Sequence, residues 1–568
     1  MKSKTTWPKH FYLITSDTSG ASNHSGNSDH SAHPLHASRE TMGSKAFNLL
    51  RMAKIGLPVP PALVIGTHYT PTPDQCMEPL FEVGLPALQQ ASGMVFGDMR
   101  HPLIVSVRSG APISMPGMMV TLLNIGLCDA TLPGLLRQTG NPRLVWDAYR
   151  RLIACYGEVV AGLPAALFED ELERLTKGGD ERDLDFSQLR DLARQFLALY
   201  QQHAGHAFPQ DVKKQLSGAI SAVFASWQSE QAQAYRRINQ IDGSIGTAVT
   251  IQSMVFGNSG GHSGSGVGFT RNPTTGEKQP WIDFLANAQG EDVVSGRRNA
   301  YGHQVLASVA PDAWHTLETS AQAIEREFLD MQDFEFTVQD GILAMLQTRS
   351  GKRTPLAAAR IALDLMDEGI LDAASALERT SGLQEKDIGT MRLAAQVAAH
   401  TQGPAHTQGP APAPSVAKSV AEAMSACPGV VSGKITLDAE RVAAHAGDGA
   451  ALILVRQDAQ TSDITALAGA AGLLTQRGAR TSHAAVVARQ LGKVCLVGCP
   501  TLHIDLAARS IRLGDLVLNE GDIITLDGNE GAVYAGAVAA VMVPDEALLE
   551  RLQALRKRHA AHHKKHGK

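Results

Sequence analysis

Cysteine is scarce: six in 568 residues, at Cys76, Cys128, Cys155, Cys427, Cys495 and Cys499, and no two form a C-x-x-C pair. Without a matched second pair there is no closed zinc site, and buried free thiols are the expected state. Long hydrophobic runs are missing too. The most apolar stretch, Ile464 to Thr475, is diluted by Gly and Ala and falls short of the roughly 18 residues that span a bilayer. Near the N-terminus only Phe11 to Ile14 is continuously apolar, too short for a signal-peptide core, so a cytoplasmic protein with no membrane partner is expected. Charge of one sign is also lacking. Lys plus Arg is 51 against 56 for Asp plus Glu, a formal net charge of −5, with no basic excess to neutralise a nucleic-acid backbone. A dedicated nucleic-acid binder is not expected on that ground. No G-x-x-x-x-G-K-[ST] occurs, which disfavours a P-loop kinase.

What is present is an ordinary globular composition, 44% hydrophobic and 19% charged, long enough for three to four domains at roughly 150 residues each. Breaks in pattern divide it. Ser16 to Ser38 is a Ser, His, Gly and Asn tract that cannot repay its own ordering entropy and reads as a disordered insert. The hexapeptide HTQGPA occurs twice between His400 and Ala411, ahead of Pro-Ala-Pro, and reads as a linker. Arg551 to Lys568 is basic and His-rich, expected as a solvated helical tail rather than a metal site. Ser187 to Arg237 and Pro355 to Ala399 carry apolar residues at helical spacing, whereas Gly246 to Glu291 reads as strands and hairpins. Pro428 to Tyr534 alternates strands with helical stretches, as a compact α/β domain would.

Three segments could carry chemistry. In Arg477 to Arg489, RGARTSHAAVVAR, Thr481 or Ser482 can cap a helix whose first turn holds His483. The partial positive charge there disfavours imidazolium, keeping His483 neutral and nucleophilic, and the same free N–H groups welcome a phosphoryl group. The competing reading is a histidine that merely packs at a helix start. In Val105 to Met119, an apolar strand delivers Arg108 into a loop with Gly110, Pro116 and Gly117, where backbone N–H groups and a guanidinium can meet phosphate oxygens. In Asp330 to Arg353, period two puts Asp333 and Glu335 on one face of a strand, and Gln347 and Arg349 on one face of the next, in a hairpin around Gln339 to Gly341. Paired carboxylates can hold Mg²⁺ between phosphate oxygens, or the segment is a surface hairpin with ordinary cross-strand ion pairs; spacing favours neither. Gly264, Gly266 and Gly268 resemble half a dinucleotide fingerprint, but the strand, third-Gly spacing and helix of that motif are not recognisable around them.

These stretches, together with GSKAFNLLRMAKIGLPVPPA (43–62), DAYRRL (147–152), GVGFTRNPTTGE, FLANAQGEDVVSG (284–296), DMQDFEFT and LQTRSGKRT (346–354), resemble the pyruvate, phosphate dikinase family in order, from about Met42 to Tyr534. The resemblance implies an α/β multidomain chain: an α+β ATP-grasp nucleotide-binding region over 1–354, with the insert at 16–38; a helical segment and Pro/Gly linker over 355–415; an α/β phosphohistidine swivelling domain over 416–540; and a tail over 541–568. It implies nucleotide binding by Lys45, Arg108, Gly117, Glu335, Gln347 and Arg349, Mg²⁺ at Asp333 and Glu335, phosphorylation of His483, and inorganic phosphate at Arg151. ATP phosphorylates His483 in this expectation, and the group passes to an acceptor. The family's C-terminal barrel, which needs roughly 250 residues, is not found after Tyr534, so pyruvate or PEP is expected on a separate chain. A different acceptor, or a non-catalytic nucleotide-binding regulator, are the alternatives, and a homodimer is possible. Ala479 and Arg480 stand where the family usually has Gly and Met.

Overall fold

The structure, a computed structural model, describes residues 6–16, 37–113, 115, 119–177, 179–294, 300–401, 418–444, 451–458, 464–480 and 482–566. Most of the expected 16–38 insert, most of the HTQGPA repeat, Pro116, Gly117 and Thr481 therefore lie outside the described residues. The chain forms two compact units, Met1–Ser263 with Thr337–Thr348, and Gly264–Phe336 with Arg349–Lys568. It is an α/β multidomain fold.

The first unit is built on a five-stranded antiparallel sheet in the order Phe11–Ile14, Ala62–Ile65, Ala248–Ser253, Val105–Gly110, Thr121–Ile125. Ala62–Ile65 and Ala248–Ser253 are buried along their whole length, which is why they read as unbroken apolar runs rather than alternating ones. Helices Pro142–Val159, Phe186–Ala204 and Val212–Ser226 contribute to the same core. In the second of these, Leu189, Leu192, Phe196 and Tyr200 form the buried stripe that helical spacing demands. Asp185 caps its start through the Ser187 and Gln188 N–H groups, and Gly205 ends it in the left-handed region.

In the second unit a smaller sheet runs Trp281–Ala286, Gly264–Phe269, Gln332–Gln339, Ile342–Ser350. The last two strands are the expected hairpin, of which Thr337–Thr348, most of the second strand included, belongs to the first unit. Its two turn residues, Asp340 and Gly341, both have positive φ (51° and 82°), the requirement of the tight turn that matches strand twist. The three glycines of SGSGVG lie in the neighbouring strand, Gly264–Phe269. A Cβ on Gly264, Gly266 or Gly268 would stand 2.2 Å from Phe284, 2.4 Å from Phe336 or 2.4 Å from Ile282. These glycines make room for buried side chains on adjacent strands, not for a dinucleotide.

The largest sheet has eight strands. Its parallel centre, Val430–Thr436, Leu452–Arg456, Gly472–Thr475 and Val494–Val497, agrees with the α/β reading of this region. Helices Ile464–Gly469 and His483–Gln490 are the crossovers between the last three, as parallel pairing requires.

Two expectations need correction. The helical reading of Pro355 to Ala399 holds for Pro355–Asp367, Ala373–Thr380 and the helix Ala394–Thr401, but Gly389–Leu393 is a strand paired antiparallel with Ala540–Pro544. The C-terminal segment is likewise not simply a solvated tail. In helix Glu546–His566, Leu548, Leu552 and Leu555 are buried against Ala359, Leu363, Ala376 and Ile388, and Arg551 bonds Asp364 and Asp367 at 2.7 and 2.9 Å. The i, i+4, i+7 leucines make an apolar stripe that the basic composition conceals.

Candidate functional site

In the first unit the seam between helix Arg39–Lys54 and strand Val105–Gly110 gathers three of the expected nucleotide residues. Gly43 takes φ 76° within the helix's first turns, and a Cβ there would lie 2.0 Å from the Gly110 carbonyl oxygen. Only glycine permits that approach. Ser44 then donates to the Ala111 carbonyl from both its N–H (3.0 Å) and its hydroxyl (3.1 Å), so Lys45 follows from a fixed point and is exposed. One turn on, Asn48 Nδ2 donates to the Thr348 carbonyl at 2.8 Å, beside Gln347, which is buried. Arg108 sits two residues before Gly110 with its Nε buried and without a hydrogen-bond partner among the described residues. A buried donor left open in this way suits an anionic ligand.

Arg151 is placed elsewhere in this unit, on helix Pro142–Val159. Its Nε donates to Asp147 Oδ2 at 3.1 Å and an Nη to Glu181 Oε1 at 2.8 Å, while Arg150 binds the other oxygens of the same two acids. Burial pushes the Asp147 carboxyl up, but Arg151, Arg150 and Arg143 outweigh it and hold the group below the usual range.

In the second unit Asp333, Glu335 and Arg349 are brought together. Arg349 Nε donates to Asp333 Oδ2 at 2.8 Å. Asp333 is buried, and that burial raises its carboxyl above the ordinary value against the pull of Arg349, with the Glu335 charge adding to the rise. The Asp333 carboxylate in turn raises Arg349. Two carboxylates on one strand face are hard oxygen donors, and a cation would relieve the burial cost of Asp333; the pair fits Mg²⁺ with phosphate oxygens and water completing its shell.

His483 opens helix His483–Gln490, and of its two expected caps it is Ser482 whose hydroxyl accepts from the Ala485 N–H, at 3.4 Å. Thr481 lies outside the described residues. The loop before this helix and the helix itself rest on the smaller sheet of the same unit. Ala479 is buried with Val267, Leu285, Ala288, Val293 and Ala300. Arg489 is buried, its guanidinium 4.8 Å from the Trp281 ring centre and 5.2 Å from that of Phe269, with an Nη donating to the Ala426 and Arg480 carbonyls at 2.9 and 3.1 Å. Sequence reasoning passed over Asp283, Trp281 and Arg489. The available signal was a lone carboxylate inside the apolar strand WIDFLA.

Among the described residues no helix is long and apolar enough to cross a membrane, and no group of three or more His, Cys, Asp or Glu could hold a metal.

Residues 86–311 match the family model described as pyruvate phosphate dikinase, AMP/ATP-binding domain, and residues 449–531 match that of the PEP-utilising enzyme, mobile domain. The chain is 41% identical to pyruvate, phosphate dikinase 1, chloroplastic, of Arabidopsis thaliana over 512 residues, covering 88% of this chain and 51% of the relative. It is 40% identical to pyruvate, phosphate dikinase of Clostridium symbiosum over 512 residues, covering 88% and 57%. The chain thus spans just over half the length of these curated relatives. Its two matched segments are thus similar, in order, to the AMP/ATP-binding domain of pyruvate phosphate dikinase and to the mobile domain of PEP-utilising enzymes.

Proposed function

We propose that this chain is an ATP-dependent phosphotransferase of the pyruvate, phosphate dikinase type, in which ATP phosphorylates His483. Residues 1–354 form the nucleotide-binding region and 416–540 the phosphohistidine domain, joined by the helical segment and linker of 355–415, with 541–568 at the end. Lys45, Arg108, Gly117, Glu335, Gln347 and Arg349 bind ATP, and Asp333 and Glu335 hold Mg²⁺, which when bound neutralises charge on the phosphate oxygens. Neutral His483 attacks the β-phosphorus; an N–P bond forms as the P–O bond to the α-phosphate breaks and AMP leaves, helix N–H groups receive the new negative charge, and inorganic phosphate then takes the γ group as pyrophosphate, leaving the β group on His483. Arg151 is assigned to inorganic phosphate. The acceptor is pyruvate, and the six cysteines, none in a disulfide, suit a cytoplasmic setting.

The observation that carries this reading is the docking of the His483 helix on the sheet that holds Asp333 and Glu335: the guanidinium of Arg489, from that helix, lies over the Trp281 and Phe269 rings of the sheet, 4.8 and 5.2 Å from their centres. The test is incubation with Mg²⁺ and ATP labelled separately at the β and γ phosphates, with and without inorganic phosphate. Acid-labile label from the β position, lost in His483→Ala, supports the dikinase half-reaction. No label under any condition overturns it and leaves a nucleotide-binding regulator.

A further inference from the structure

We infer that Arg480 is a docking latch: it fastens the loop ahead of His483 to strand Trp281–Ala286 and so sets how readily His483 is presented for phosphorylation. The inference rests on the function proposed above. Arg480 Nε donates to Asp283 Oδ1 at 2.9 Å, an Nη approaches the same oxygen at 2.8 Å, and that Nη also donates to the Ile282 carbonyl at 2.9 Å. The guanidinium carbon lies 4.4 Å from the Trp281 ring centre. One side chain therefore grips three consecutive residues, 281 to 283, by cation–π contact, backbone bond and ion pair in turn.

Asp283 is 1% exposed, and a carboxylate so deeply buried is tolerated only when paired. Arg489 supports the grip from behind, since the Nη that donates to the Arg480 carbonyl belongs to a guanidinium over the same Trp281 ring. With Arg480 turned onto Asp283, its charge is committed to the strand and not to the phosphoryl group. Arg480 is a positioning residue. Lysine at this position would keep the ion pair but lose the flat face over Trp281 and the fork that reaches Ile282.

The test uses the full chain with Arg480→Met, Arg480→Lys and Asp283→Asn. Arg480→Met slows labelling of His483 at saturating ATP by about tenfold or more, the scale of losing a shielded charge pair, with the KM for ATP unchanged; Arg480→Lys falls between it and the parent. Hydrogen exchange at amides 281–286 and 478–480 is faster in Arg480→Met and in Asp283→Asn, and Arg480→Met with Asp283→Asn together is no faster than the faster single variant. Parent-like labelling and parent-like exchange in Arg480→Met overturn the latch, as does a raised KM for ATP with kcat intact. If the parent itself takes no label, the proposed function fails, while the exchange comparison still decides whether Arg480 holds the loop.

Discussion

Arg349 reaches back across the base of its hairpin to Asp333, Nε to Oδ2 at 2.8 Å, pairing a half-exposed cation with a buried acid. A plain surface hairpin would show both partners in water. Here the arginine is held beside the acidic pair, where the proposed function has it meet phosphate. Arg349→Ala is expected to slow His483 phosphorylation on the order of 10²-fold or more, the scale of one positioned transition-state charge. Rapid-quench labelling of His483 measures it, and near-normal rates would remove Arg349 from the site.

The raised carboxyl of Asp333 gives a pH prediction with a definite sign. Metal binding needs the charged form, so Mg²⁺ affinity should begin to fall, as pH is lowered, above the range where an exposed aspartate titrates. Stability behaves oppositely at this group: a raised folded value contributes stability that is full below the unfolded value and lost as pH rises through the folded one. Calorimetric Mg²⁺ titrations between pH 7 and pH 4.5 should show this slope in the parent and a flatter one in Asp333→Asn. Equal slopes would mean that Asp333 is not a ligand.

The hairpin was legible because local chemistry specifies it: period-two charges on both strands and an Asp-Gly turn that accepts positive φ. The helix at His483 was legible for the same reason, a serine cap followed by small residues. Sheet order was not, since Ala62–Ile65 pairs with Ala248–Ser253, a partner chosen by burial rather than by anything nearby in sequence. The bond between Arg480 and Asp283 spans 197 residues and left only one trace, a carboxylate in an apolar strand. Gly264, Gly266 and Gly268 were ambiguous because a missing side chain looks the same whether a phosphate or a phenylalanine takes the space.

Asp147 is the buried centre of a four-residue ion cluster with Arg150, Arg151 and Glu181. Asp147→Asn leaves two arginines sharing one half-exposed glutamate and should cost about 3–5 kcal/mol, the usual loss when half of a buried pair is removed. Because the folded carboxyl is held low, its contribution is present above the unfolded value and lost as pH falls through the folded one. The gap between parent and variant in urea midpoint should therefore be wide at pH 7 and narrow steadily in acid. A gap independent of pH would mean that the cluster acts through packing alone.

Gly43 and Gly56 separate two reasons for a glycine with positive φ. Both take similar angles, 76° and 79°, but a Cβ on Gly43 would meet the Gly110 carbonyl at 2.0 Å, whereas nothing lies within 4 Å of one on Gly56. Gly56→Ala should cost only backbone strain, about 1 kcal/mol, and leave the KM for ATP unchanged. Gly43→Ala must push the helix from strand Val105–Gly110, so it should cost several-fold more and raise the KM for ATP by moving Lys45 away from Arg108. Thermal melts and steady-state kinetics on the two variants check this. Equal losses would show that the close approach at Gly110 is not what the glycine serves, and would detach Lys45 and Arg108 from a common role.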